Sequence, residues 1–342
     1  MDENLDLSIV IPSYNSADWL PTTLASTQEA IAASSLRCEV VLIDDGSTDS
    51  TAEIVEEITR TFGSTLRYVH TPNSGVFAAR LRGANVATSS RILFLDSRVL
   101  MNYQALSYLQ SLLERGAPSA ALVGHVATDE SAPLVGRFWE VPTHVFWGKY
   151  LRDPQVTTVN SENFDKLPKG TGFLLIDRHL FLDACSEIGD EFDRFVSDDT
   201  KLLRIVTSRT SMTIDPEFRA VYRPRTTVRK FLAHGLLRGT LFVDSYYGTS
   251  IVRSLALWII ALSLPVLIAA VVFGILTGNW IATIALAGLF VALLLTLTAV
   301  SRINRAPLRA CASFLIYAIP FTFVFWAGIT RGLWLRMSKR GL

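Results

Sequence analysis

Short apolar runs alternate with helix-compatible stretches through the first hundred residues. Leu7-Ser8-Ile9-Val10-Ile11, Val40-Val41-Leu42-Ile43, Leu66-Arg67-Tyr68-Val69-His70 and Arg91-Ile92-Leu93-Phe94-Leu95 read as strands. The Val40 run, mostly β-branched, has the pattern of a strand buried on both faces. Residues 17–33, about 51–61 and a segment from Asn73-Ser74-Gly75 through Ala84 read as the intervening helices. Ser50-Thr51-Ala52-Glu53 has the spacing of a capping box, and Gly46 permits a tight turn before it. This alternation predicts right-handed crossovers and a mostly parallel, doubly wound α/β sheet. It brings Ser13, Asp44, Asp45 and Asp96 to one sheet edge, at the carboxyl ends of the strands, where such sheets bind ligands.

Farther along, the pattern changes. Residues 254–300 contain no charged side chain, a run of roughly 70 Å as a helix against a bilayer core of about 30 Å. The run must therefore fold back, and Thr277-Gly278-Asn279 is the evident break, which predicts spans near 254–276 and 280–300. Arg302, Arg305 and Arg309 make the next loop basic. A third apolar segment, 310–330, contains Pro320 and is followed by a basic tail; it either spans or lies in the interface. Residues 219–253 carry Arg219, Arg223, Arg225, Arg229, Lys230, Arg238 and Arg253 against the single acid Asp244. They read as a positive juxtamembrane flank, which also suits anionic lipid or a phosphate-bearing reactant. The expected division is a domain over 1–218, this flank, and a membrane region over 254–342.

Composition sharpens the picture. Only 18% of residues are charged, against about 25% in ordinary soluble proteins, and the net charge of +1 argues against nucleic acid as a partner. Three scattered cysteines make neither a disulfide framework nor a zinc site, which fits a reducing compartment. The acidic start runs straight into a strand, and no signal peptide is expected. No two of the five histidines have metal-ligand spacing.

Ile11-Pro12-Ser13-Tyr14-Asn15, Asp44-Asp45-Gly46-Ser47-Thr48-Asp49, Asn73-x-Gly75 with Arg80, and Phe94-Leu95-Asp96-Ser97 occur in this order. Together they resemble the successive blocks of family 2 inverting glycosyltransferases, over roughly residues 5–240. The resemblance implies a GT-A fold, a Rossmann-like mostly parallel sheet, and a nucleotide-sugar donor. By it, Pro12, Ser13, Tyr14, Asn15, Asp44, Asp45, Gly75, Arg80, Asp96, Ser97 and Arg98 form the donor side, with Tyr14 near the base. The family normally carries Asp-x-Asp at the fourth strand tip and binds a divalent metal there. This chain has Asp96-Ser97-Arg98. Magnesium and manganese want oxygen ligands, which arginine cannot supply. Three readings stand: Asp96 holds Mg2+ or Mn2+ with help from diphosphate and water, Arg98 contacts the diphosphate directly, or Arg98 faces solvent.

Lys169-Gly170-Thr171-Gly172 followed by Phe173–Ile176 reads as a glycine turn and a strand. The later Ser197-Asp198-Asp199-Thr200 resembles the family's acceptor-side segment, in which Asp199 aligns with the catalytic base and Asp198 precedes it. Inversion needs a carboxylate to take the acceptor's proton as its hydroxyl attacks. The bland alternative is that the pair only caps a helix. Gly172 and Arg238 are assigned to the acceptor or phosphate side. Gly235-Leu236-Leu237-Arg238-Gly239 stands where processive relatives carry Gln-x-x-Arg-Trp, and only the arginine survives, which argues against polymer synthesis. The aromatics of 128–168, Phe138, Trp139, Phe146, Trp147 and Tyr150, suit a membrane interface, an acceptor lid or ordinary packing alike.

The expected protein is a multi-pass enzyme of the inner or plasma membrane with its catalytic domain cytoplasmic. It would move a sugar from a UDP- or GDP-sugar to a lipid-linked saccharide in cell-envelope polysaccharide or glycolipid synthesis. A polyprenyl-phosphate glycosyltransferase is the enzymatic alternative, and a non-catalytic scaffold the alternative of another class.

Overall fold

In the computed structural model, residues 5–116, 120–188 and 198–340 are described, without the side chains of 198, 199, 339 and 340. The elements run β1 Leu7–Ser13, α1 Leu20–Ala32, β2 Cys38–Asp45, α2 Thr51–Thr59, β3 Thr65–Thr71, α3 Val76–Val86, β4 Arg91–Leu95, β5 Val99–Met101 and α4 Ala105–Glu114. Then follow β6 Ala121–Thr128, α5 Glu140–Phe146, α6 Gly148–Arg152, β7 Thr157–Val159, β8 Phe173–Asp177, α7 Arg178–Ile188, α8 Asp198–Arg209 and β9 Met212–Tyr222. The C-terminal helices are α9 Val228–Tyr246, α10 Ile251–Thr277, α11 Ile281–Ile303 and α12 Leu308–Arg340.

The chain divides into two units. The first, residues 1–130 and 153–224, holds the sheet, in the order β3-β2-β1-β4-β8-β6-β9-β5 with β7 paired to β9. Strands β3, β2, β1 and β4 are mutually parallel, as the alternation of apolar runs and helices predicts. β8 joins β4 antiparallel and continues the sheet into a mixed half. Every residue of β1 and β2 is buried, which accounts for their near-continuous apolar runs. Ile9, Ile11, Val40, Leu42, Leu93 and Leu95 form the centre of the core, covered on one side by Leu20 and Leu24 of α1. The register places Ser13 opposite Asp44, and Asp44 opposite His70. α2 is capped differently from the expected box. Ser50 makes no side-chain cap, and Asp49 instead accepts from the Thr51 backbone N–H at 3.2 Å and from the Ala17 N–H at 3.1 Å.

The second unit, residues 131–152 and 225–342, joins α5 and α6 to the C-terminal helices. Phe138 is buried among Phe231, Phe314 and Phe321, at centroid distances of 5.1, 5.2 and 4.4 Å. Of the aromatics left open by sequence, Phe138 and Tyr150 are thus packed inside this unit, while Phe146 is exposed. Helices α9 and α12 touch through glycines. A Cβ on Gly239 would lie 2.9 Å from the Gly328 Cα, and one on Gly328 would meet the Leu236 carbonyl at 2.3 Å. Thr240 adds a hydroxyl bond of 3.2 Å to the Gly328 carbonyl. Small residues four apart permit this close approach. Three helices, over Ile251–Thr277, Ile281–Ile303 and Leu308–Ser338, are long and apolar enough to cross a membrane. The segment around 310–330 is thus continuous helix, with Pro320 inside it.

Candidate active site

The carboxyl edge of β1, β2 and β4 carries a connected set of polar groups. Asp44, 1% exposed, accepts from the Ser47 backbone N–H at 2.9 Å and the Tyr68 hydroxyl at 2.6 Å, and pairs with His70 Nδ1 at 2.9 Å. Burial alone would raise its pKa, but these bonds outweigh burial and hold the carboxyl below the usual range. Asp45 accepts from the backbone N–H groups of Ser74 and Gly75, both at 2.8 Å. There burial prevails over the two bonds and pushes the pKa up. Two adjacent carboxylates are thereby driven apart in acidity by their surroundings.

Gly46 makes this edge possible. It turns at φ +74°, and a Cβ there would sit 2.7 Å from the Asn73 backbone nitrogen. The loop after β1 closes over the same turn. The Asn15 backbone N–H donates to Ser47 Oγ at 2.8 Å, and its side-chain oxygen accepts from the Thr48 N–H at 2.8 Å. Asn15 has φ +47°, tolerable for asparagine. Pro12 and Ser13 are buried, whereas Tyr14 is 52% exposed.

Asp96 emerges from the end of β4. Arg80 on α3, almost fully buried, donates to its Oδ1 at 2.5 Å. Gly172, just before β8, accepts from the Asp96 backbone N–H at 2.9 Å, and a Cβ there would come within 2.8 Å of Asp96 Oδ2. Ser97 bonds Ser16 Oγ at 3.0 Å, which ties this turn to the β1 loop. Arg98 is half-buried and forms no ion pair with Asp96. Its guanidinium lies 4.2 Å from the Trp19 ring centroid, and that of Arg223 lies 5.0 Å from the same ring. Burial and the neighbouring Arg223 charge lower the Arg98 pKa, though the nearby Tyr222 works against them.

The sequence-read donor residues Ser13, Asn15, Asp44, Asp45, Gly75, Arg80, Asp96 and Ser97, with Gly172, are thus drawn together at one edge. Asp198 and Asp199 open α8, and their side chains lie outside the described residues. Arg238 belongs to the second unit, where its guanidinium lies 4.7 Å from the Trp139 ring. Tyr68, His70 and Trp19 went unassigned by sequence, and Arg223 was read there as part of the basic flank. Period-two alternation on β3, in register with β2, is the signal that puts Tyr68 and His70 on Asp44.

A divalent cation at this edge would need several oxygen ligands. Asp96 is engaged by Arg80, position 98 carries a guanidinium, and no group of three His, Cys, Asp or Glu converges among the described residues. Among the described residues, then, no complete ligand set for a divalent cation is present at Asp96; the side chains of Asp198 and Asp199 lie outside them.

Residues 8–181 match the family described as Glycosyl transferase family 2, more than half of the chain. The chain belongs to glycosyl transferase family 2. Among its relatives is the minor teichoic acid biosynthesis protein GgaA of Bacillus subtilis, 36% identical over 101 residues, covering 29% of this chain and 23% of that protein. An undecaprenyl-phosphate 4-deoxy-4-formamido-L-arabinose transferase of Klebsiella pneumoniae is 36% identical over 92 residues, covering 27% and 28%. Other curated relatives are covered over 27–39% of their length, so the chain spans well under half the length of these curated relatives. Among solved structures, the mannosyltransferase PcManGT of Pyrobaculum calidifontis, in complex with GDP-Man and Mn2+, superposes with a TM-score of 0.54. That match covers 92% of this chain and 88% of PcManGT at 17% identity, and establishes the shared fold. Family 2 membership therefore rests on the matched sheet unit, which is the unit that carries the polar edge.

Proposed function

We propose that this protein is a membrane-associated inverting glycosyltransferase that moves a sugar from a UDP- or GDP-sugar to a lipid-linked saccharide in cell-envelope polysaccharide or glycolipid synthesis. The observation that carries this reading is the joined edge of Asp44, Asp45 and the Arg80–Asp96 pair, inside the span that matches the family. Asp44 and Asp45, fixed by backbone and side-chain donors, would hold the nucleoside, with Tyr14 against the base. Asp199, at the first turn of α8, would take the proton of the acceptor hydroxyl, where helix N–H groups favour an ionised carboxylate. Single displacement then inverts the anomeric centre. Three apolar helices on the same chain support an acceptor that resides in a bilayer, and the cytosolic source of nucleotide sugars supports a cytoplasmic active site. Arg238, exposed on α9 beside Trp139, would serve the acceptor's phosphate.

The test is a donor screen on the detergent-solubilised protein with membrane lipid extract. Asp199→Asn is expected to abolish sugar transfer and leave nucleotide affinity within about twofold; transfer at the wild-type rate would refute the base assignment. A second reading is favoured by the Klebsiella relative, whose name specifies a polyprenyl phosphate. If the acceptor is a lipid phosphate, it is already ionised and needs little base catalysis. Asp199→Asn would then retain most of its turnover with polyprenyl phosphate as the sole acceptor.

A further inference from the structure

We infer that this chain holds the donor's diphosphate through the guanidinium of Arg98, with no divalent cation between them. The inference rests on the glycosyltransferase reading and deepens it. The Asp96–Arg98 turn has its backbone fixed on every side. Val99 N–H donates to the Asp96 carbonyl at 2.9 Å, Thr23 Oγ1 to the Ser97 carbonyl at 2.8 Å, and Arg223 N–H to the Arg98 carbonyl at 2.9 Å. What can move is the Arg98 side chain. Its Nε and Nη2 are buried with no acceptor, and among the described residues no carboxylate pairs with it. Arg223, on the same indole, is differently employed. It donates to the Trp19 carbonyl at 2.8 Å, to Thr23 Oγ1 at 2.7 Å and to Thr22 Oγ1.

Among the described residues, then, the Arg98 guanidinium is held chiefly against an aromatic face. A guanidinium gains more from a phosphate, which accepts two parallel charge-assisted bonds, than from a ring. Exchanging Trp19 for phosphate oxygens would satisfy the orphan donors and separate two like charges. The same residue stands where a metal-binding carboxylate is expected, so the site gains a fixed positive charge and loses a ligand for a mobile one. Diphosphate needs its charge met when it leaves, and a guanidinium does this without metal coordination.

Isothermal titration of the full-length protein in detergent with UDP and with GDP, in EDTA and in Mn2+, tests this directly. The nucleotide that binds should do so equally in both, within about twofold. Arg98→Ala should weaken it about tenfold or more while leaving the corresponding nucleoside unchanged, and Arg98→Lys should recover part of the loss. Arg98→Asp should bind nucleotide poorly in EDTA and regain it with Mn2+, with a matching fall in the free Mn2+ paramagnetic resonance signal. A wild-type affinity that drops about tenfold or more in EDTA would overturn the inference and leave the enzyme reading standing. Wild-type affinity in Arg98→Ala would do the same. Failure of both nucleotides to bind in any condition would remove the enzyme reading together with the inference.

Discussion

The Arg80–Asp96 pair is lopsided, and the lopsidedness makes a sharp prediction. Arg80 has a side chain 4% exposed, whereas Asp96 is 38% exposed at the open edge. Asp96→Ala would take a carboxylate from a buried guanidinium that keeps its other contacts, a change that costs about 3 kcal/mol, the low end for a broken buried pair because Asp96 itself is part-hydrated. Arg80→Met would keep the buried stem and free a carboxylate that water reaches, at about 1 kcal/mol. For a unit of this size 1 kcal/mol moves Tm by about 2–4 °C. Thermal unfolding of the full chain in one detergent and at one scan rate should thus show losses of roughly 6–12 °C and 2–4 °C respectively. The double variant should fall near Arg80→Met alone, a coupling of about 2–3 kcal/mol, because the Arg80 guanidinium that Asp96 pairs is then gone. If Asp96→Ala is no worse than Arg80→Met, or if the two losses add, the buried guanidinium is not what Asp96 holds in place.

Three further expectations follow from the geometry. Gly172→Ala places a methyl 2.8 Å from Asp96 Oδ2, so turnover should fall about tenfold or more while Tm changes by only a few degrees, measured on one preparation. Asp44 has a depressed pKa, so its stabilisation is present above the unfolded carboxylate value and is lost as pH falls through the lower folded one. Tyr68→Phe removes one of its donors, costs about 1–2 kcal/mol at neutral pH, and should make the acid loss of Tm smaller and complete it at higher pH than in wild type. Gly239→Leu would drive a side chain into the Gly328 backbone and lower Tm by several degrees, whereas Leu237→Ala, on an exposed position of the same helix, should change it little.

The parallel half of the sheet was legible because β1, β2 and β4 are short, mostly apolar runs stopped by a turn residue and β3 alternates. Leu7–Ile11 and Val40–Ile43 have no other stable fate than burial on two faces. The mixed half was not, and β9 shows why. Met212–Tyr222 contains Pro216 and alternates charge with apolar residues, which argues against a strand in the middle of a sheet. The structure keeps it there by a register shift: Gly124 faces Asp215 while His125 faces Arg219, so Pro216 to Phe218 bulge from the ladder and no bond is asked of the proline nitrogen. The same strand takes Arg219 and Arg223 out of the basic flank in which sequence placed them and into the sheet unit. A pattern that depends on a partner strand's bulge cannot be read from one segment.

For the candidate site the boundary lies between residue type and side-chain direction. Asp44, Asp45 and Asp96 announce themselves as acids at strand ends, and the sheet's geometry alone brings them to one edge. Arg98 is equally plain in the sequence, yet whether it meets diphosphate or faces solvent depends on where its side chain points. That direction is set by Trp19, which is brought beneath the turn by the Ser16 carbonyl bonding the Trp19 N–H at 2.8 Å and by Ser97 bonding Ser16. No spacing rule links positions 19 and 98, because their contact passes through two loops joined by a pair of serines. Where a cation rests is thus a tertiary property even when its identity is a one-dimensional one. A substitution at Trp19 should therefore change how Arg98 meets an anion without touching any residue of the recognisable motifs.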